Sequence, residues 1–358
     1  MWLFNSSIGR KLVMAITGAC LVLFVTFHVL MNSVALIWPT AYNQVCEFLG
    51  ANWYALIASA GLAALFVIHI VYAVWLTMQN RKARGNDRYA VTSRPPQVEW
   101  ASKNMLVLGI VILAFLVVHL IQFWAKMQWQ ELRHAELSVL PQLENGIVLP
   151  SQGTLFLQIA FSEVWTPIVY IIGFIALWFH MNHGFWSMFQ STGWNGQSWI
   201  PRLKKIACWW TTIVVALFIA QAIVFTVRAH QKYYLSDLEL QEQYAEAIGD
   251  TAEPLVLEFN GELNKFQKEV QDFMQSQQGN PNEIQEMQTK FLETKAVAFL
   301  QKASPLVKTY EIRCPDVEAA PESYSKLEAA YNQFQMVCAQ YGIEIPTEAT
   351  SSQDNNQK

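Results

Sequence analysis

Five stretches of this chain carry no Asp, Glu, Lys or Arg: Lys11 to Glu47, Glu47 to Arg81, Lys103 to Lys126, Glu163 to Arg202, and Lys205 to Arg228. Each exceeds the roughly 20 residues that cross about 30 Å of hydrocarbon at 1.5 Å per residue. The pattern predicts five transmembrane helices, near 11–38, 52–79, 103–126, 163–191 and 206–229. Trp38-Pro39 closes the first with an interfacial aromatic and a helix breaker. From Gln231 the texture changes to amphipathic helix, as in FNGELNKFQKEVQDFMQ, where Phe259, Leu263, Phe266, Val270 and Phe273 recur at spacings of three and four. Gly279-Asn280-Pro281 breaks that helix; a second is predicted from Asn282 to about Ala303 and a third from Glu322 to Gln340. The expected fold is all-α: a five-helix membrane bundle over 1–230, an acidic helical extracytoplasmic extension over 231–350, and a disordered polar tail over 351–358.

Charge orients the bundle. Up to Arg228 there are 14 Lys and Arg against 7 Asp and Glu; from Gln231 the counts are 10 against 21. Basic residues gather at Arg10 and Lys11, at Arg81, Lys82, Arg84, Arg88, Arg94 and Lys103, and at Arg202, Lys204 and Lys205. By the positive-inside rule those segments are cytoplasmic, which puts the N-terminus inside and everything beyond Arg228 outside. The loop over 79–102, with Arg94-Pro95-Pro96, is either a charged connector that meets a partner or a topology signal alone. The first apolar run is too long for a signal-peptide core, and no small-residue cleavage site closes it. Cys20, Cys46 and Cys208 lie in or beside the spans as packing residues. Cys314 and Cys338 fall in the outer extension, where an oxidising compartment permits a disulfide whose geometry two cysteines alone do not fix.

Within the fourth apolar stretch stands FHMNHG, with His180 and His183 three residues apart. A polar ring in lipid is costly unless something binds it. His28, His69 and His119 occupy three of the other spans, and their depths sort them. His28 is 17 residues beyond Lys11 and His119 is 16 beyond Lys103, about 25 and 24 Å above the inner ends of two upward helices. His69 is 12 residues before Arg81 and His180 is 13 before Gly193, about 18 and 20 Å from the inner ends of two downward helices. Two ligands at each of two depths is what two stacked bis-histidine haems require, since each iron takes axial ligands from opposite faces. Zinc would want further ligands at each level, and a proton path would mix acids with the histidines; the charge-free spans contain neither. Spacing alone does not choose between His180 and His183, which share a helix face. Gly184 would leave room for a porphyrin edge or a close helix.

Four segments, SSIGRKLVMAITG leading to FHVLMN, VIHIVYAVWLTMQNRKAR, VVHLIQFW and FHMNHGFWSMFQSTG, occur in an order and spacing that resemble the cytochrome b membrane anchor of succinate:quinone oxidoreductases, the succinate dehydrogenase and fumarate reductase family. The likeness is to the single-polypeptide, five-helix, two-haem class and covers about residues 6–228. It implies two haems b, with His28 and His119 on the distal one and His69 and His180 on the proximal one. Related anchors place the fourth-helix ligand four residues before a glycine, which favours His180 over His183. It further implies a flavoprotein and an iron-sulfur subunit on the cytoplasmic face of a bacterial inner membrane. The quinone, menaquinone for a two-haem anchor, would bind within the membrane. The dicarboxylate chemistry would belong to the partner subunits. Glu47 and Glu163, both toward the outer side, are the candidate carboxylates of the quinone site, and Arg81 could balance a haem propionate. The family core does not need the extension, for which another envelope protein is one conceivable partner. Two alternatives stay open: a di-haem anchor of another respiratory enzyme, and a haem-free transporter whose histidines line a substrate path.

Overall fold

A computed structural model describes residues 6–84, 99–144, 146–194, 196–276, 280–313 and 325–341. It is helical apart from one short hairpin and divides into two compact units, one of residues 1–131 and 150–234, the other of 132–149 and 235–358. Arg88, Arg94, Pro95, Pro96, Cys314 and the 351–358 tail lie outside the described residues, and with them the disulfide expectation.

Among its described residues the first unit contains five helices long and apolar enough to cross a membrane, as the charge-free stretches predict. They are α1 (Ser7–Ile37), α3 (Trp53–Arg84), α4 (Trp100–His119, continuing as a π turn over Leu120–Trp124), α7 (Trp165–Ser191) and α8 (Trp199–His230). The observed ends depart from the predicted ones in both directions, beyond them at Ser7, Arg84, Trp100 and Trp199 and short of them at Trp124 and Trp165. Ser6 starts α1 by accepting from the Gly9 amide at 2.9 Å, satisfying one of the unpaired first-turn donors. Pro39 opens α2 (Pro39–Ala51), where its missing N–H costs nothing. The last carbonyls of α1 find a donor on another helix: the Arg228 guanidinium bonds the oxygens of Ala35 and Leu36 at 2.8 and 2.9 Å.

Burial within the bundle is uneven. In its most apolar window α8 is 39% buried and α3 only 6%, so α8 packs centrally and α3 turns most of its surface outward. An outward face of Leu, Ile, Val and Trp suits lipid, which takes up such surface without the penalty water imposes. Close packing occurs where Gly173 on α7 admits Phe115 of α4: a Cβ on Gly173 would lie 2.5 Å from Phe115 Cγ. Two short helices, α5 (Gln128–Leu132) and α6 (Gly153–Phe161), lie outside the five long ones in sequence. Nearly every residue of α6 is buried, and Gln158 donates to the Ala229 carbonyl at the end of α8 at 2.8 Å.

After α9 (Tyr233–Ser236), within which the first unit ends, the second unit contains α10 (Leu238–Gln275), α11 (Pro281–Phe291), α12 (Val297–Arg313, entered through a π turn over Leu292–Ala296) and α13 (Ser325–Tyr341). Asp237 and Asn280 are N-caps, accepting from the amides of Leu240 and Asn282 at 3.1 Å each. The three-four pattern of α10 packs as its period requires: Phe259 stacks on Phe299 and Phe266 on Phe291, each with ring centres 4.4 Å apart. The helix expected to stop near Ala303 runs on to Arg313 through Pro305. Burying Leu306, Val307 and Tyr310 offsets the backbone bond lost at that proline. The departure from an all-α fold is an antiparallel hairpin of β1 (Gln142–Leu143) and β2 (Gly146–Ile147), belonging to this unit. Ile147 is pinned at both polar groups: its amide donates to Thr309 Oγ1 at 3.2 Å, and its carbonyl accepts from Tyr244 Oη at 2.6 Å. On the surface, Lys295 and Lys265 hold the Glu262 carboxyl down to about 2.

Candidate functional site

Four of the five long helices each present a histidine to a histidine on another. His28 of α1 and His119 of α4 stand with ring centres 5.8 Å apart and planes at 83°. His69 of α3 and His180 of α7 stand 6.3 Å apart with planes at 64°. The two pairs lie at different heights. Gly18 of α1 lies against the His69 ring and Gly109 of α4 against the His180 ring, a Cβ at either falling 3.7 or 3.8 Å from the ring's Cε1. Gly18 and Gly109 each stand ten residues before the histidine of their own helix, about 15 Å along its axis. One pair is therefore about 15 Å from the other along the bundle.

These separations match the donor set of a bis-histidine site. A metal held by two imidazole nitrogens at about 2.0 Å, each nitrogen about 1.1 Å from its ring centre, puts the ring centres about 6 Å apart. Nδ1 of His180 is buried and meets no side-chain hydrogen-bond partner. A metal held by His28 Nε2 would displace one contact, because Asn32 Nδ2 lies 3.1 Å from that nitrogen, held there by a bond from Tyr42 Oη to Asn32 Oδ1 at 3.2 Å. Among the described residues no group of three or more His, Cys, Asp or Glu converges, so the ligand-bearing side chains occur as pairs.

The other two pairwise contacts involve hydroxyls. His69 Nδ1 lies 3.2 Å from Thr17 Oγ1, and His119 Nδ1 lies 3.2 Å from Tyr170 Oη. Tyr170 donates to Gln122 Oε1 at 2.9 Å, and Gln122 Nε2 donates to Thr166 Oγ1 at 3.1 Å. The π turn that follows His119, closed by the Ala125 amide on the Leu120 carbonyl at 2.8 Å, is the widened geometry often found at functional positions. Thr17, Tyr170, Gln122 and Asn32 carry no sequence signal that separates them from ordinary span residues; only proximity to a histidine does.

His183 has a different surrounding from His180. Its Nδ1 donates to Glu99 Oε2 at 3.2 Å, and Lys204 Nζ donates to the other oxygen of that carboxylate at 2.6 Å. Lys204 also sits 4.4 Å from the centre of the Trp186 ring, which meets the His183 ring edge-on at 4.9 Å. Partial burial pushes the Glu99 carboxyl up, but the bonds from Lys204 and His183 outweigh it and hold it below the usual value. Glu47 on α2 and Glu163 before α7 are both exposed, and neither is brought to a histidine pair. Gly184 is open, with nothing within 4 Å of where its Cβ would stand. Comparison with protein-family models, with curated proteins and with solved structures finds no match.

Proposed function

We propose that this chain is a di-haem cytochrome b membrane anchor, in which His28 with His119 and His69 with His180 hold two haems b at two depths. The observation that carries this reading is the pairing itself: four histidines from four different helices form two couples at 5.8 and 6.3 Å, near the spacing of a bis-imidazole site. Haem bound there supplies one-electron carriage through a low-dielectric bundle. The chain's own residues position the ligands and keep the pairs apart by about 15 Å of helix rise.

With the sequence resemblance added, the reading becomes the anchor subunit of a succinate:quinone oxidoreductase in a bacterial cytoplasmic membrane. Electrons pass between an iron-sulfur subunit on the inner face and membrane menaquinone, in either direction. Dicarboxylate chemistry belongs to a flavoprotein partner. The extension after Arg228 then lies outside the membrane. Glu47 and Glu163 are exposed, and on this reading they are the candidate carboxylates for delivering protons to the quinone from the outer side.

The deciding experiment is haem per polypeptide in the purified protein, by the reduced pyridine adduct, together with identification of co-purifying subunits. Two haems in wild type, with loss in His28→Ala and in His180→Ala, are expected. Folded protein without haem would refute the cytochrome reading; two haems with a different set of partner subunits would refute only the enzyme assignment.

A further inference from the structure

In each histidine pair, one ring has its Nδ1 against a hydroxyl and the other does not. Thr17 Oγ1 lies 3.0 Å from the Val13 carbonyl and 3.1 Å from that of Met14, both on its own helix. A hydroxyl has one proton, and carbonyls can only accept, so the proton points into α1 and the oxygen's lone pair faces His69 Nδ1. Tyr170 repeats the arrangement by another route. Its proton is directed at Gln122 Oε1, while Gln122 Nε2 donates to the fully buried Thr166, and this leaves the phenol oxygen as acceptor toward His119 Nδ1.

An N–H left unbonded in apolar surroundings costs more than an unbonded lone pair. The proton of neutral His69 therefore resides on Nδ1, beside Thr17, and that of neutral His119 on Nδ1, beside Tyr170. Both rings then present the Nε2 lone pair for ligation. Their partners have no hydroxyl at Nδ1: the His180 ring has the Met105 backbone beside it, and the bond that His28 makes is at Nε2, to Asn32. Thr17 and Tyr170 are 4% and 5% exposed, so each hydroxyl is fixed by packing as well as by hydrogen bonds.

The geometry points to Thr17 and Tyr170 as the positioning residues of the two pairs, one for each, holding His69 and His119 in the tautomer and orientation that ligate through Nε2. The inference rests on the haem reading above. An acceptor on the far nitrogen makes an imidazole a more basic ligand, which favours the oxidised metal. Losing it should raise the potential of that haem alone.

The test is a potentiometric titration, followed by haem absorbance, of the full chain in detergent, with haem content measured on the same samples. Thr17→Val is expected to retain two haems and to change the oxidised-over-reduced preference of one of them by roughly threefold to tenfold. That is an upward shift of about 30 to 60 mV at 59 mV per decade for one electron. Tyr170→Phe should shift the other haem in the same direction. Thr17→Ser should restore the wild-type value. Thr77→Val, which removes a hydroxyl bonded only to the Ala73 carbonyl, should move neither. Should Thr17→Val fail to fold, Thr17→Ala carries the same expectation. Two haems with unshifted potentials in both Thr17→Val and Tyr170→Phe would overturn the assignment while leaving the cytochrome reading intact. A shift of the same haem in both variants would overturn the allocation of one residue to each pair, and a folded wild type without haem would remove the reading on which the inference stands.

Discussion

Nδ1 of His183 lies 3.2 Å from a carboxylate oxygen of Glu99, while His180, three residues earlier on the same helix, faces His69. Three residues on an α-helix differ by about 60° in direction, enough to send two similar rings to different neighbours. On the haem reading, His183→Ala should keep two haems per polypeptide and His180→Ala should lose one. Pyridine haemochrome assay of the two variants side by side checks this, and equal loss in both would contradict it.

The Glu99 cluster should also show in the acid dependence of stability. Its carboxyl is held below the ordinary value of 4.5, so its contribution is complete above about pH 4.5 and disappears as pH falls through the lowered folded value. The side chain is 38% exposed, and solvent screening keeps that contribution under about 1 kcal/mol. Thermal unfolding in detergent at pH 7 and pH 3 should show a smaller acid-induced loss in Glu99→Gln than in wild type. An equal loss would mean that the cluster is energetically idle.

Arg228 closes α1 from another helix, bonding two carbonyls with a forked donor that lysine does not possess. Charge-assisted bonds of this kind contribute about 1.5 to 3 kcal/mol. Arg228→Lys should therefore lower stability by about 2 kcal/mol, and Arg228→Met by at least as much, as read from thermal unfolding. An unchanged midpoint in Arg228→Met would show that water caps those carbonyls equally well.

Gly173→Ala places a methyl 2.5 Å from Phe115, whose ring also lies 6.0 Å from that of His119. Overpacking of this kind costs about 1 to 3 kcal/mol. The variant should be destabilised by that amount, whereas Gly184→Ala, where the space is open, should not be. Comparing the two unfolding midpoints tests whether helix contact or glycine content matters.

In the other unit, Tyr244→Phe leaves the buried Ile147 carbonyl without its 2.6 Å donor, at a cost of about 1 to 3 kcal/mol. The hairpin over 142–147 should then be cut sooner in limited proteolysis than in wild type. Unchanged cleavage would assign its anchoring to Thr309 alone.

The five spans, the two depths of the histidines and the amphipathic period of α10 all follow from the sequence itself, because they depend on local quantities: run length, rise per residue and the 3.6-residue repeat. Pairing at two levels was legible for the same reason, since depth can be counted from the charged ends of each span. What depends on the direction in which a side chain leaves its helix was not. His180 and His183 look alike in sequence and diverge only once His69 stands against the first ring and Glu99 against the second. Thr17, Tyr170 and Asn32 become neighbours of histidines only when helices far apart in the chain pack together. Likewise 132–149 reads as a loop between spans, yet it belongs with 235–358, because the partner of the Ile147 amide is Thr309, 162 residues away. Local periodicity fixes what an element is; the tertiary structure, through packing and the pairing of buried polar groups, decides what it touches.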